Sequence, residues 1–255
     1  PILTGLPIAT TLLMAGIGTL LFHLLTKGKV PAFLGSSFAF IGGYTAVAPM
    51  LADGSSNTEM LPYACGGVFC AGLLYLVLAA LIRGFGAKRV MKFFPPVVTG
   101  PIIISIGLIL APSAINNCAT DWPIAIIALA TVIVFNIWGK GMAKIVPILI
   151  GVAVSYVAAI IMGEVDFTGI QDEPILGLPE LILMKFDVSA IITIMPIALA
   201  TMMEHIGDIS AIGATTGKNY IADPGLHRTL LGDGLATCLA AAVGAPANTT
   251  YGENT

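Results

Sequence analysis

Apolar residues come in blocks along this chain, and short polar loops separate the blocks. A bilayer crossing needs roughly 20 consecutive apolar residues. Such runs lie at 6–25, 60–82, 97–115, 123–138, 142–163, 188–213 and 229–246. A further stretch at 31–52 is apolar but interrupted by Pro31, Gly35, Gly42, Gly43 and Pro49. The pattern predicts helices that span a membrane, one of them discontinuous. Pro196 predicts a kink in the run at 188–213, because its ring clashes with the preceding turn.

Charge decides whether 31–52 is a crossing. Lys27 and Lys29 lie in one loop, Arg83, Lys88, Arg89 and Lys92 in the next but one, then Lys140 and Lys144, then Lys218 and Arg228. The alternate loops carry Asp53 and Glu59, then Asp121, then an acidic group from Glu164 to Asp187, with Lys185 as their only base. Ten of the eleven Lys and Arg thus fall on one side, which the positive-inside rule assigns to the cytoplasm. The alternation holds only if 31–52 crosses. Eight crossings fit, with a ninth opening near Ala247.

Composition agrees. At 57% hydrophobic and 10% charged, with a mean hydropathy of +0.97, a chain of 255 residues has too little polar surface for a soluble globule. It begins at Pro1 and stops at Thr255 as a new apolar unit opens, and reads as a fragment. Cys65, Cys70, Cys118 and Cys238 lack CxxC spacing and read as small buried hydrophobes.

Two short segments resemble each other. Gly35-Ser36-Ser37-Phe38-Ala39-Phe40 lies inside the interrupted stretch, and Asn248-Thr249-Thr250-Tyr251-Gly252-Glu253 ends the chain. Each supplies two hydroxyls, an aromatic and a small residue. Interrupted spans at corresponding places in two halves point to a transporter's binding site, because irregular backbone at membrane depth survives only where it is buried or lines a cavity. Both segments favour extended backbone. Two short strands meeting between helix ends would offer free N–H groups and an aromatic face to a flat ligand.

Carboxylates supply the candidate chemistry. A charge at membrane depth is costly, so its default reading is an ion or substrate site. Glu204 and Asp208, four apart, share one helix face, which Ala200 and Ala211 continue. Two close carboxylates out of water are not both ionised, so a proton can be held and released here. His205 points about 100° away from Glu204 round the helix, and packing or hydrogen bonding is as good an account of it as a ligand role. Asp233 reads as an interfacial charge near a helix start.

Three motif matches fail. Gly213–Lys218 has three residues where a phosphate loop needs four, and Asn219 replaces its hydroxyl. Asn248-Thr249-Thr250 fits a glycosylation sequon but falls at membrane depth. His23, His205 and His227 have no metal-ligand spacing. Neither a cofactor nor a nucleic-acid partner is expected.

The chain resembles the nucleobase–cation symporters, also called nucleobase–ascorbate transporters, and within them the bacterial uracil permeases. The residues that carry the resemblance are 28–40, Phe94-Pro95-Pro96-Val97-Val98-Thr99-Gly100, Glu204-His205-Ile206-Gly207, Asp223-Pro224-Gly225-Leu226-His227-Arg228 and 246–254, in the family's order. It implies an all-α polytopic membrane protein, here a fragment of a 7+7 inverted-repeat transporter with two discontinuous spans containing short β-strands. On that template 1–82 are core-domain spans two to four, 83–185 gate-domain spans five to seven, and 186–255 core-domain spans eight, nine and the start of ten. The family is usually dimeric.

The resemblance further implies that Glu204 and Glu253 contact a nucleobase, with backbone amides at Phe38 and Gly252 completing the contacts. The chemistry is coherent: uracil's ring N–H groups need acceptors, its carbonyls need donors, and its flat face can stack on Phe38 or Tyr251. Glu204 and Asp208 would couple a proton. Purine-selective members usually have Gln where Glu253 stands, which favours uracil. Uracil permeases often have His where Asp208 stands and several purine carriers have Asp, which favours a xanthine or other purine symporter. The expectation is a homodimer in the plasma membrane importing uracil with a proton, its loops around Lys27, Arg83–Lys92, Lys140–Lys144 and Lys218–Arg228 cytoplasmic. From other classes, an intramembrane enzyme would need Glu204 and His205 on one face, and a non-transporting subunit would use its polar residues only for helix contacts.

Overall fold

A computed structural model describes residues 1–51, 55–90, 92, 96–167 and 177–251. The long helices follow the apolar runs: α1 Ile8–Leu25, α3 Leu61–Phe85, α5 Pro96–Cys118, α6 Trp122–Trp138, α8 Pro147–Met162 and α11 Leu226–Ala242. The run at 188–213 divides into α9 Val188–Ile194 and α10 Ile197–Thr216, with the break at Met195 and Pro196. That is the kink expected of Pro196, which has no N–H to donate. Short helices α2 Ile41–Val47, α4 Ala87–Val90 and α7 Met142–Ile145 lie between the long ones. Three segments are long and apolar enough to cross a membrane among the described residues: Ile8–Leu25, Leu61–Phe85 and Val188–Thr216 across its bend.

The interrupted stretch takes the form the two short segments predict, with one difference. Strand β1 Leu34–Ser36 pairs antiparallel with β2 Asn248–Thr250, Gly35 opposite Thr249. Extended backbone stops at Ser37, however, and Phe38–Phe40 winds into a 3-10 turn that leads into α2. The first strand is therefore shorter than the six-residue segment that predicted it.

Two acidic residues from the alternate loops serve as helix caps. Asp121 accepts the Ile124 N–H at 3.0 Å to start α6, and Asp187 accepts the Ala190 N–H at 2.9 Å to start α9. An N-cap carboxylate satisfies one of the donors that a first turn leaves unpaired.

The chain forms two compact units, Pro1–Ile106 with Leu178–Thr255, and Gly107–Gly177. In the first, α3 runs through the centre and packs on α2, α9, α10 and α11, while α1 packs on α11 and β1. Leu61, Val68, Tyr75, Ile194, Leu226 and Leu230 are fully buried in its core. The backbones of α3 and α11 approach closely, where a Cβ on Gly72 would lie 3.1 Å from the Gly234 carbonyl and one on Gly234 would lie 3.0 Å from the Gly72 carbonyl. Small residues let helix backbones meet where lipid supplies no hydrophobic drive for helices to associate. In the second unit α6 packs on α8, with Gly151 against Val132.

Candidate functional site

The two strands meet between helices that hold them by side-chain hydrogen bonds. Thr229, Asp233 and Thr237 recur every four residues and so share one face of α11. Thr237 donates to the Asn248 carbonyl at 3.0 Å, and Asp233 Oδ1 accepts the Thr250 N–H at 2.8 Å. From α1, Thr19 Oγ1 accepts the Leu34 N–H at 3.0 Å, and the Met14 carbonyl accepts from Asn248 Nδ2 at 2.8 Å. A two-stranded ribbon this short is not stable alone. Here the helices complete its hydrogen bonding.

His205 lies at the centre of this arrangement, 1% exposed. Its Nδ1 is 2.9 Å from Thr250 Oγ1 and 3.3 Å from Asp233 Oδ2, and its Nε2 is 3.0 Å from Thr229 Oγ1. The Tyr75 ring of α3 meets the imidazole edge-on, with centroids 6.5 Å apart. Of the two readings the sequence left open for His205, the structure supports hydrogen bonding.

Asp233 corrects an expectation. The sequence placed it at the interface, five residues after Arg228; the structure buries it fully. α11 already begins at Leu226, so Asp233 sits two turns inside it, facing His205 and β2. The Thr229–Asp233–Thr237 stripe was the available signal, since a helix exposing three polar groups to one side needs a polar partner there.

The expected site residues fall as follows. Glu204 is half-buried and Asp208 buried on α10, the helix that packs against both the 3-10 turn and β2. The Tyr75 phenol lies within electrostatic reach of Glu204, Asp208 and Asp233. Phe38 opens the 3-10 turn and is 52% exposed. Tyr251 follows β2, half-buried, and donates to the Ser36 carbonyl at 3.1 Å. Its ring lies 6.3 Å from that of Phe33, an aromatic neighbour that the sequence did not single out. Gly252 and Glu253 lie outside the described residues. The structure thus brings the helix of Glu204 and Asp208 onto the turn of Phe38 and the strand that leads to Tyr251.

A separate cavity is lined by Lys29, Lys218, Asn219, Tyr220 and Asp223, with Lys29 and Asp223 forming an ion pair across it. Among the described residues its lining includes none of the expected site residues. Among the described residues, no group of three His, Cys, Asp or Glu is arranged to hold a metal.

Comparison with known proteins bears on the family and the fold. A model of a permease family matches residues 3–255. Over its whole length the chain is 42% identical to a protein of Haemophilus influenzae described as "Probable uracil permease", 40% to the uracil permease of Bacillus subtilis and 37% to that of Escherichia coli. It spans 62%, 61% and 60% of the lengths of those three relatives. In three dimensions it is similar to the transmembrane domain of the cyanobacterial bicarbonate transporter BicA, with a TM-score of 0.61 over 99% of this chain and 72% of that one, at 17% identity. At that identity the likeness is one of fold.

Proposed function

The chain belongs to the permease family of nucleobase–ascorbate transporters, and from that membership we propose that it forms part of a secondary active transporter that imports uracil together with a proton. It is a multi-pass membrane protein, as the family and its apolar helices require. Family and fold point to a transporter rather than an enzyme.

The observation that carries the proposal is the packing of α10 against both the 3-10 turn and β2. This packing sets a helix bearing two carboxylates beside irregular backbone inside the membrane. Carboxylate oxygens accept from ring N–H groups, free backbone N–H groups donate to ring carbonyls, and Phe38 and Tyr251 offer flat faces. In this reading Glu204 and Glu253 bind the base, with the amides of Phe38 and Gly252. Glu204 and Asp208 hold the coupling proton, so that the base binds best when one of them is protonated. Residues 1–82 and 186–255 act as the transporting core and 83–185 as the gate, in a homodimer whose basic loops face the cytoplasm. The names of the relatives favour uracil, and Asp208 is the residue that keeps a xanthine or other purine substrate as a second reading.

The test is uptake of labelled uracil by cells expressing the full-length protein, with and without an imposed proton gradient and with excess unlabelled xanthine. Gradient-driven uptake that xanthine leaves unchanged is expected. Competition by xanthine would move the substrate to the purines, and uptake indifferent to the gradient would remove the proton.

A further inference from the structure

The hydrogen bonds around His205 count protons. With its hydroxyl proton donated to the Leu226 carbonyl at 3.0 Å, Thr229 accepts from His205 Nε2–H. In a neutral ring Nδ1 is then an acceptor, filled by the Thr250 hydroxyl at 2.9 Å. Asp233 Oδ2, 3.3 Å from Nδ1, would face a lone pair, and no other hydrogen-bond donor among the described residues reaches it. A fully buried carboxylate in that position is an uncompensated charge. One further proton removes the conflict: Nδ1–H points to Thr250 Oγ1 and Asp233 Oδ2, and the pair carries no net charge.

We propose that His205 and Asp233 together hold one proton, and that this proton locks β2 to α10 and α11, making both of them positioning residues for the chain that follows at Tyr251. Asp233 grips the strand through Oδ1 and the Thr250 N–H, and His205 grips it through the Thr250 hydroxyl. Loss of the proton to solvent leaves an uncompensated buried charge beside β2 and turns the Thr250 hydroxyl from acceptor to donor toward Nδ1; regaining it restores the lock. Proton occupancy and the setting of the substrate-facing chain are thereby linked. Among the described residues Tyr75 from α3 meets the imidazole edge-on, its phenol lies within electrostatic reach of Asp233 and of Glu204 and Asp208 on α10, and β2 contributes the Thr250 hydroxyl.

The inference rests on the reading of the chain as a uracil carrier, and the test separates the two. Uracil counterflow exchange, which needs no net proton movement, is measured with the full-length protein per copy in the membrane. His205→Gln leaves Asp233 charged and unpaired, and exchange is expected to fall about tenfold, the scale of one charge-assisted hydrogen bond. In the double variant His205→Gln with Asp233→Asn, the amide oxygen still accepts the Thr250 N–H and no proton is required, so exchange recovers to within about threefold of wild type. A single variant with full activity, or a double variant no better than the single one, overturns the proposal. If wild type does not exchange uracil, the functional reading fails, and the same three proteins are compared by thermal unfolding in detergent. There, a loss in His205→Gln that Asp233→Asn reverses supports the pair, and additive losses overturn it.

Discussion

Tyr251 and Gly35 are locked face to face across the strand pair. The Tyr251 hydroxyl donates to the Ser36 carbonyl at 3.1 Å, and a Cβ on Gly35 would come within 2.6 Å of the Tyr251 ring at Cε2 and 2.7 Å at Cζ. The ring therefore lies directly on the backbone of β1, and the glycine there is required by close approach. The tyrosine ties the end of one discontinuous segment to the beginning of the other.

Gly35→Ala is accordingly expected to push the ring off the strand. Overpacking of this kind costs about 1–3 kcal/mol, and since both groups are rigid the displacement should fall on the substrate site. Uracil affinity should drop about tenfold or more, as read by counterflow. Tyr251→Phe removes only the hydrogen bond to Ser36 and should cost about 1 kcal/mol. Equal effects of the two substitutions would mean that the ring's seat on β1 is unimportant.

The carboxylates give a second prediction. Glu204→Gln and Glu253→Gln each replace one acceptor oxygen with a donor, and each should weaken uracil binding by roughly ten- to a hundredfold, the range for a hydrogen bond to a charged group. Asp208→Asn should spare binding and reduce the dependence of uptake on the proton gradient. An intramembrane enzyme built on Glu204 and His205 would be indifferent to Glu253→Gln, and a scaffold would change only in stability. Binding and gradient-driven uptake, measured side by side, separate the three.

Much of this arrangement was legible in the residues, because membrane depth restricts what irregular backbone and buried charge can mean. Gly35–Phe40 and Asn248–Glu253 gave the strands through their matched composition, and Pro196 gave the break between α9 and α10. Asp233 was misplaced, since its burial is decided by contact with His205 and Thr250 and not by its distance from Arg228. The 3-10 turn at Phe38 was missed for a related reason. Strand propensity at Phe38 and Phe40 is overridden where the chain must enter α2.

The ion pair between Lys29 and Asp223 looks like a latch between two loops but should contribute little. Its side chains are 43% and 69% exposed, and exposed pairs contribute about 0–1 kcal/mol that salt screens further. Lys29→Ala should leave thermal stability and uracil exchange near wild type at physiological ionic strength. A loss of activity without a loss of stability would show that the neighbouring cavity takes part in transport.

The contact between Gly72 and Gly234 should be among the least tolerant in the protein. A methyl group on Gly72 would lie 2.6 Å from Cys238 Sγ and 3.1 Å from the Gly234 carbonyl, and one on Gly234 would lie 2.6 Å from Tyr75 Cβ. Neither helix can yield cheaply: α3 is enclosed by α2, α9 and α10, and α11 carries the Thr229–Asp233–Thr237 face that holds β2. Moving α11 outward to admit the methyl would shift Asp233 and His205 relative to Thr250. Gly72→Ala and Gly234→Ala should therefore lower stability by about 1–3 kcal/mol each and also weaken substrate binding, although neither residue touches the strands. Thermal unfolding and uracil affinity measured on the same preparations test this, and a stability loss with unchanged affinity would show that the strand site is insulated from the helix contact.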